Sequence, residues 1–298
     1  MTDFVALIRE RSAPLEALPT GTEPRVAALE GVRAVLFDVY GTLVISGSGD
    51  VGVNAAAGRG DAFVSSLQAV GLPATVDGEI GVEALNAAIR DDHAAKRDLR
   101  IEYPEVDITE IWRNALGVLG VEPPERNDLL RLTIEYECRV NPTWTMPHAA
   151  EVVKAIAGRG LLLGIVSNAQ WFTPLVVRAH LGLNMARGSL FAEDVMVWSY
   201  ECRRAKPGTY LYECAAAKLK SHGIEPHEVL YVGNDLLNDC TPAQQMGFRT
   251  ALFAGDERSL RLREGDERVA NTRPTVTVTD LRQLLDCLPA VETAADHG

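Results

Sequence analysis

Four short polar patterns in this sequence hold residue types that could do chemistry together. Asp38 directly follows the apolar run VRAVLF (residues 32–37) and opens the stretch Asp38-Val39-Tyr40-Gly41-Thr42-Leu43. A carboxylate at a strand tip can attack an electrophilic carbon or phosphorus and form a covalent intermediate; it can also be a plain turn or cap residue. Ser167 and Asn168 follow LLLGIV, where a hydroxyl and an amide suit an anion or, more simply, the cap of the next helix. Lys206 precedes Pro207. Its ammonium could neutralise both a nucleophile and a bound anion, although a solvated lysine is the ordinary alternative, and Pro207 suits the first turn of a helix. After VLYV comes Gly233-Asn234-Asp235-Leu236-Leu237-Asn238-Asp239, a polar turn whose two carboxylates suit a hard cation such as Mg²⁺.

The elements that must position these residues follow from the apolar pattern. Buried strands are expected at residues 32–37, 161–167, 229–233 and 249–253, with shorter ones at 196–198 and 275–278. Residues 41–52 are rich in Gly and Ser and read as a loop. Residues 54–136 read as helical, with stretches at 61–70, 82–100, 108–119 and 127–137 and no convincing strand. Further helices are expected at 148–157, 171–179 and 207–219, with a short one ending at Met246. Strands alternating with helices make a parallel sheet covered on both faces, and ligands bind beyond the C-terminal strand ends of such sheets. The helical block falls just after the first of those ends and would cover them.

Taken together and in this order, the four patterns make the chain similar to the haloacid dehalogenase-like superfamily over roughly residues 32–255. The resemblance implies an α/β fold: a three-layer Rossmannoid core around a parallel sheet, with an inserted all-helical cap of the family's type one. The domains would be a leader, residues 1–31, packing on the core; the core itself, residues 32–50 and 146–298; and the cap, residues 51–145. Asp38 then looks like the nucleophile, Thr42 the residue that steadies its loop, Ser167 the anion binder of the second motif and Lys206 the lysine of the third. Asp235 and Asp239 resemble the acids that hold or orient Mg²⁺, with Asp38 and the backbone carbonyl of Tyr40 completing the ligand set. Tyr40, Gly41, Asn168 and, from the insertion, Tyr103 are the candidate substrate contacts. His93, Lys96 and Arg100 are weaker candidates for binding an anion.

Two departures pull in opposite directions. Family phosphatases place a second Asp two residues after the nucleophile to protonate the leaving group; here that residue is Tyr40, whose ordinary pKa near ~10 makes it a poor base. Asp-x-Tyr-Gly-Thr is instead similar to the 2-haloacid dehalogenases, which need neither a leaving-group acid nor a metal. The fourth motif argues the other way. Asp235 and Asp239 beside Asp38 would repel by about 4 kcal/mol per pair at ~4 Å and an effective dielectric of about 20, which a divalent cation relieves and Lys206 alone would not. The family's usual ligand position aligns with Asn234 rather than Asp235. The sequence therefore favours a Mg²⁺-dependent phosphatase of a small phosphorylated metabolite, working through an aspartyl-phosphate. A metal-independent 2-haloacid dehalogenase is the rival, and a non-catalytic binding protein on the same fold the third reading.

Composition bounds the partners. The 298 residues carry a formal net charge of -12 and are 47% hydrophobic, enough for a sizeable core. Such acidity repels nucleic acid and anionic lipid, so neither is an expected partner, and a small anionic metabolite needs a local positive site. The five cysteines form no C-x-x-C pair and read as reduced thiols. No secretory signal or membrane-length apolar run is visible, which points to the cytoplasm. Oligomeric state is left open.

Overall fold

The computed structural model describes residues 2–48, 58–185 and 189–290. The expected boundary at residues 50 and 51 and the last four residues of the Gly/Ser-rich loop, 49–52, lie outside them. The core is a six-stranded sheet in the order β5-β4-β1-β6-β7-β8, all pairs parallel. Its strands are β1 (Ala34–Phe37), β4 (Leu162–Ser167), β5 (Phe191–Trp198), β6 (Val229–Gly233), β7 (Arg249–Phe253) and β8 (Val276–Val278). All four residues of β1 are buried, as an unbroken apolar run in the middle of a two-faced sheet requires. β5 is longer than the three residues the sequence suggests, because exposed Glu193 and Asp194 interrupt its apolar pattern.

The remaining strands, β2 (Val44–Ser46) and β3 (Thr143–Thr145), form a short antiparallel ribbon. The sequence reading assigns residues 44–46 to loop and gives 143–145 no element. At three residues each, these strands are too short for alternation to register. Their role is mechanical: the helical insertion leaves the core through β2 and returns through β3.

That insertion consists of α2 (Arg59–Ala69), α3 (Gly78–Asp98), α4 (Ile108–Val118) and α5 (Arg126–Val140). Its helices bury a separate apolar cluster centred on Phe63, Leu67, Trp112, Leu116 and Leu132. Asp77 and Asp107 cap α3 and α4 by accepting backbone N–H bonds, which fixes where the helices begin. Around the sheet lie α6 (Ala149–Gly158), α7 (Thr173–Leu181), α8 (Ser199–Cys202), α9 (Tyr210–Ser221), α10 (Thr241–Gln245) and α11 (Leu284–Cys287). At the N-terminus, α1 (Phe4–Arg11) packs against both α7 of the core and α5 of the insertion. Its Arg11 donates to Glu135, whose side chain is wholly buried. The five cysteines are all unpaired, and among the described residues no helix is long and apolar enough to cross a membrane.

The chain crosses from β1 outward through β4 and β5, then returns to the other side of β1 as β6. This reversal opens a crevice beyond the C-terminal ends of β1, β4 and β6, the place where open parallel sheets bind ligands.

Candidate active site

Asp38 extends β1 by one residue: its N–H donates to Val232 of β6 at 2.9 Å, so its side chain is carried by the sheet itself. Lys206 reaches it from the loop before α9, where the Lys206–Pro207 bond is cis and the helix begins only at Tyr210. Pro207 is thus not in the first turn of α9, as the sequence suggests. Asn168, beyond β4, holds this loop in place: its Oδ1 accepts the Lys206 N–H at 2.8 Å and its Nδ2 donates to the Lys206 carbonyl at 3.3 Å.

The Lys206 ammonium, fully buried, donates to Asp38 at 2.7 Å, to Asp239 at 2.6 Å and to the Tyr231 hydroxyl at 3.2 Å. Burial alone would lower its pKa, but the two carboxylates outweigh it and hold the ammonium charged. Asp239 is pushed up by burial, with Lys206 opposing and Asp38 and Asp235 adding to the rise. It also accepts the Asp235 N–H at 2.9 Å. Gly233 permits this approach, since a Cβ there would fall on the Asp239 carboxyl.

Asp38, Tyr40, Asn168, Lys206, Asp235 and Asp239 line one cavity of about 160 Å³. Other candidates from the sequence stand around it rather than in it. Thr42, wholly buried, donates to Asn234 at 3.1 Å and so fastens the loop after β1 to the loop after β6. Gly41 sits at φ +79°, where a Cβ would be 2.6 Å from that of Ser259. Ser167 is buried and donates to the Asn168 carbonyl at 3.1 Å instead of facing the cavity. Tyr103 is not brought to this site. The segment around it docks on residues 203–205, with Ala205 N–H donating to the Tyr103 carbonyl at 2.8 Å, and its ring lines another cavity with Glu102, Gly208 and Arg268. His93 lines a third cavity, and Lys96 is engaged with Asp92 and the Glu105 carbonyl.

Two of the four expected Mg²⁺ ligands, Asp235 and Asp239, are engaged by the protein's own donors. Asp235 accepts backbone N–H bonds from Leu237 and Asn238 and two bonds from the Arg263 guanidinium, at 3.0 and 2.5 Å. The amide oxygen of Asn234 accepts Thr42, while its Nδ2 donates to the Ser259 carbonyl at 2.6 Å. Asp239 is taken by Lys206 and the Asp235 N–H. Each oxygen named here thus meets an N–H or O–H donor of the protein. Among the described residues, no three His, Cys, Asp or Glu side chains are arranged to hold a metal ion. Charge at the strand tips is relieved by Lys206 between two carboxylates and by Arg263 on the third. Tyr40 is equally unsuited to proton transfer: its hydroxyl is 3.1 Å from Thr173, and burial raises its pKa well above the ordinary range.

Several cavity residues escape sequence reasoning: Glu105, Gln170, Asn238, Ser259 and Arg261. Glu105 comes from the insertion. It accepts from Ser199 at 2.7 Å, Val106 N–H at 2.9 Å and Gln170 at 3.1 Å, and burial pushes its carboxyl up against those donors. It lies in the polar interruption ahead of α4, the one available sequence signal, but nothing there separates it from Glu102.

Comparisons agree with this fold. Residues 32–247 match the haloacid dehalogenase-like hydrolase family. Similar solved structures include a 2-haloacid dehalogenase from Pseudomonas syringae pv. Tomato DC3000, 18% identical over 86% of this chain and 97% of that one, TM-score 0.55. A HAD phosphatase from Thermococcus onnurineus is 17% identical over 86% and 97%, TM-score 0.49. The L-2-haloacid dehalogenase from Xanthobacter autotrophicus is 22% identical over 85% and 96%, TM-score 0.47. No curated protein matches the chain. Likeness at these identities is a likeness of fold.

Proposed function

The chain belongs to the haloacid dehalogenase-like hydrolases, and from that premise we propose that it is a metal-independent hydrolase whose Asp38 attacks carbon, releasing halide from a small 2-halocarboxylate. The observation that carries this reading is the occupation of the fourth motif: Asp235 is held by Arg263, and Asp239 by Lys206. Phosphoryl transfer needs positive charge for the oxygens of the transferred group. Here the Lys206 ammonium is shared by Asp38 and Asp239, so the oxygens of a transferred phosphoryl group would compete with two carboxylates for it.

Substitution at carbon makes smaller demands. An Asp38 carboxylate oxygen forms a bond to the α-carbon as the carbon–halogen bond breaks, and halide departs with the bonding pair. Water then adds to the Asp38 carboxyl carbon, the hydroxy acid leaves, and one proton is released with the halide. Halide needs no proton to leave, so the loss of an acid at Tyr40 costs this reaction nothing. Lys206 orients Asp38. Arg261 and the amides of Asn168, Gln170 and Asn238 line the cavity where a carboxylate and a departing halide would sit.

Chloride release from 2-chloropropionate, followed with and without EDTA, tests the reading. Equal release in both supports it, and no release in either sinks it. Phosphate release from p-nitrophenyl phosphate that requires Mg²⁺ would move the assignment to a phosphatase.

A further inference from the structure

The match to the family begins at residue 32, so α1 lies ahead of it. α1 nevertheless sits where the insertion and the core meet. Leu7 and Ile8 are buried in the core's apolar cluster together with Ile134 of α5 and Val177 of α7. Ile8 reaches a narrow void of about 10 Å³ that it shares with Ile134, Val176 and Tyr40. Phe4 meets Trp171 edge-on at 5.5 Å, and that indole donates to Thr133 of α5 at 3.2 Å. Arg9 donates to the Ala179 carbonyl at 3.0 Å and the Arg178 carbonyl at 3.4 Å, at the C-terminal end of α7, where a cation is favoured. Arg11 donates through Nε and Nη2 to the Glu135 carboxylate of α5 at 2.8 and 3.2 Å. One short helix thus fastens α7 to α5.

The polar part of this fastening comes undone without stranding a charge. Glu135 is wholly buried, but Arg139 also donates to it, at 2.6 Å, and Arg131 lies 3.5 Å away. Losing Arg11 therefore leaves the carboxylate paired, whereas a broken buried pair is costly when one partner is left alone. α1 has eight residues, too few to hold as an isolated helix in water, so it is helical only while docked. Beyond it, the Leu18 N–H donates to Asp256 at 3.1 Å and the Thr20 hydroxyl to the Ala254 carbonyl at 2.9 Å. α1 can leave while the rest of the leader stays anchored on the core.

The insertion also touches the core beside the Asp38 cavity. Glu105 N–H donates to the Arg203 carbonyl at 3.3 Å, Ala205 N–H to the Tyr103 carbonyl at 2.8 Å, and Ile108 N–H to Gln170 at 3.1 Å. Glu105 and Gln170 are walls of that cavity, and among the described residues lining it none belongs to α1. The chain itself joins insertion to core through the β2–β3 ribbon. Swinging the insertion about that ribbon parts Glu105 from Ser199 and also draws Glu135 away from Arg11. We infer that α1 is a strap holding the insertion down on the core, so that the Glu105 wall of the Asp38 cavity lifts only as far as α1 lets α5 move. The inference is independent of which bond Asp38 breaks.

Hydrogen–deuterium exchange of the full chain, followed by mass spectrometry, tests it. Phe4→Ala combined with Arg11→Ala removes contacts of the strap to both sides. Peptides covering residues 103–108 and 203–206 are expected to exchange about tenfold faster in this variant, and peptides covering β6 at the wild-type rate. Arg11→Gln, which leaves Glu135 bonded to Arg139, is expected to speed the same peptides about threefold and carries the test if the double variant does not fold. Unchanged exchange at 103–108 and 203–206 overturns the inference. So does a rise there no greater than in β6, because a helix that merely adds stability would loosen core and insertion alike.

Discussion

Lys206 governs how much negative charge the strand tips can hold. Removing it leaves Asp38 and Asp239 buried side by side with no cation between them. Lys206→Met is expected to cost about 3–5 kcal/mol in urea unfolding, the range for an uncompensated buried charge. Adding Asp239→Asn should recover part of that loss without restoring turnover, because the orienting contact to Asp38 stays missing. If the double variant is no more stable than the single one, Lys206 and Asp239 are not coupled as their 2.6 Å contact implies. At this scale much was legible: Asp38, Asn168 and Asp239 each come soon after an apolar run that reads as a strand, and Lys206 stands before a proline ahead of a helix. Arg263 was not. It pairs with Asp235 from a loop 28 residues further on, and no periodicity connects the two. Missing it left Asp235 looking like a carboxylate in need of a metal.

Elements set the positions of these side chains, and the least legible elements are the shortest. β3 lies against α7, where Thr143 Oγ1 and His180 Nε2 are 2.9 Å apart. Burial, with Arg9 nearby, pushes the His180 pKa down to about 4. Between the ordinary ~6.5 and about 4, the unfolded chain takes a proton that folded His180 refuses. Stability is therefore expected to fall as pH falls through that window, by roughly 2 kcal/mol after allowing for its partial exposure. His180→Gln should flatten this part of the stability profile measured by urea unfolding, and an unchanged profile would assign the acid sensitivity elsewhere. The long helices and central strands were legible because their periods repeat over many residues. The β2–β3 ribbon and the docking of residues 103–105 on 203–205 were not, since both depend on contacts between distant segments.

Across the whole molecule, a formal charge of -12 surrounds a site read as binding an anion. Salt screens that repulsion over a Debye length of about 8–10 Å. The kcat/KM for an anionic substrate is expected to rise about two- to threefold between 10 and 150 mM NaCl, while that for the corresponding neutral amide stays flat. A fall with salt would mean that local cations such as Arg261 dominate the approach.

The central position of β1 also shapes how the chain is made. Ala34 pairs with Leu162 on one side and Val229 on the other. At ribosomal rates of about 5–20 residues per second, the nascent strand waits roughly 10–40 s for the second of these neighbours. During that interval AVLF is an uncovered apolar segment of high β-propensity, the kind that chaperones bind and that aggregates when they do not. Asp38, made with it, has no lysine to face until the chain has grown by a further 168 residues.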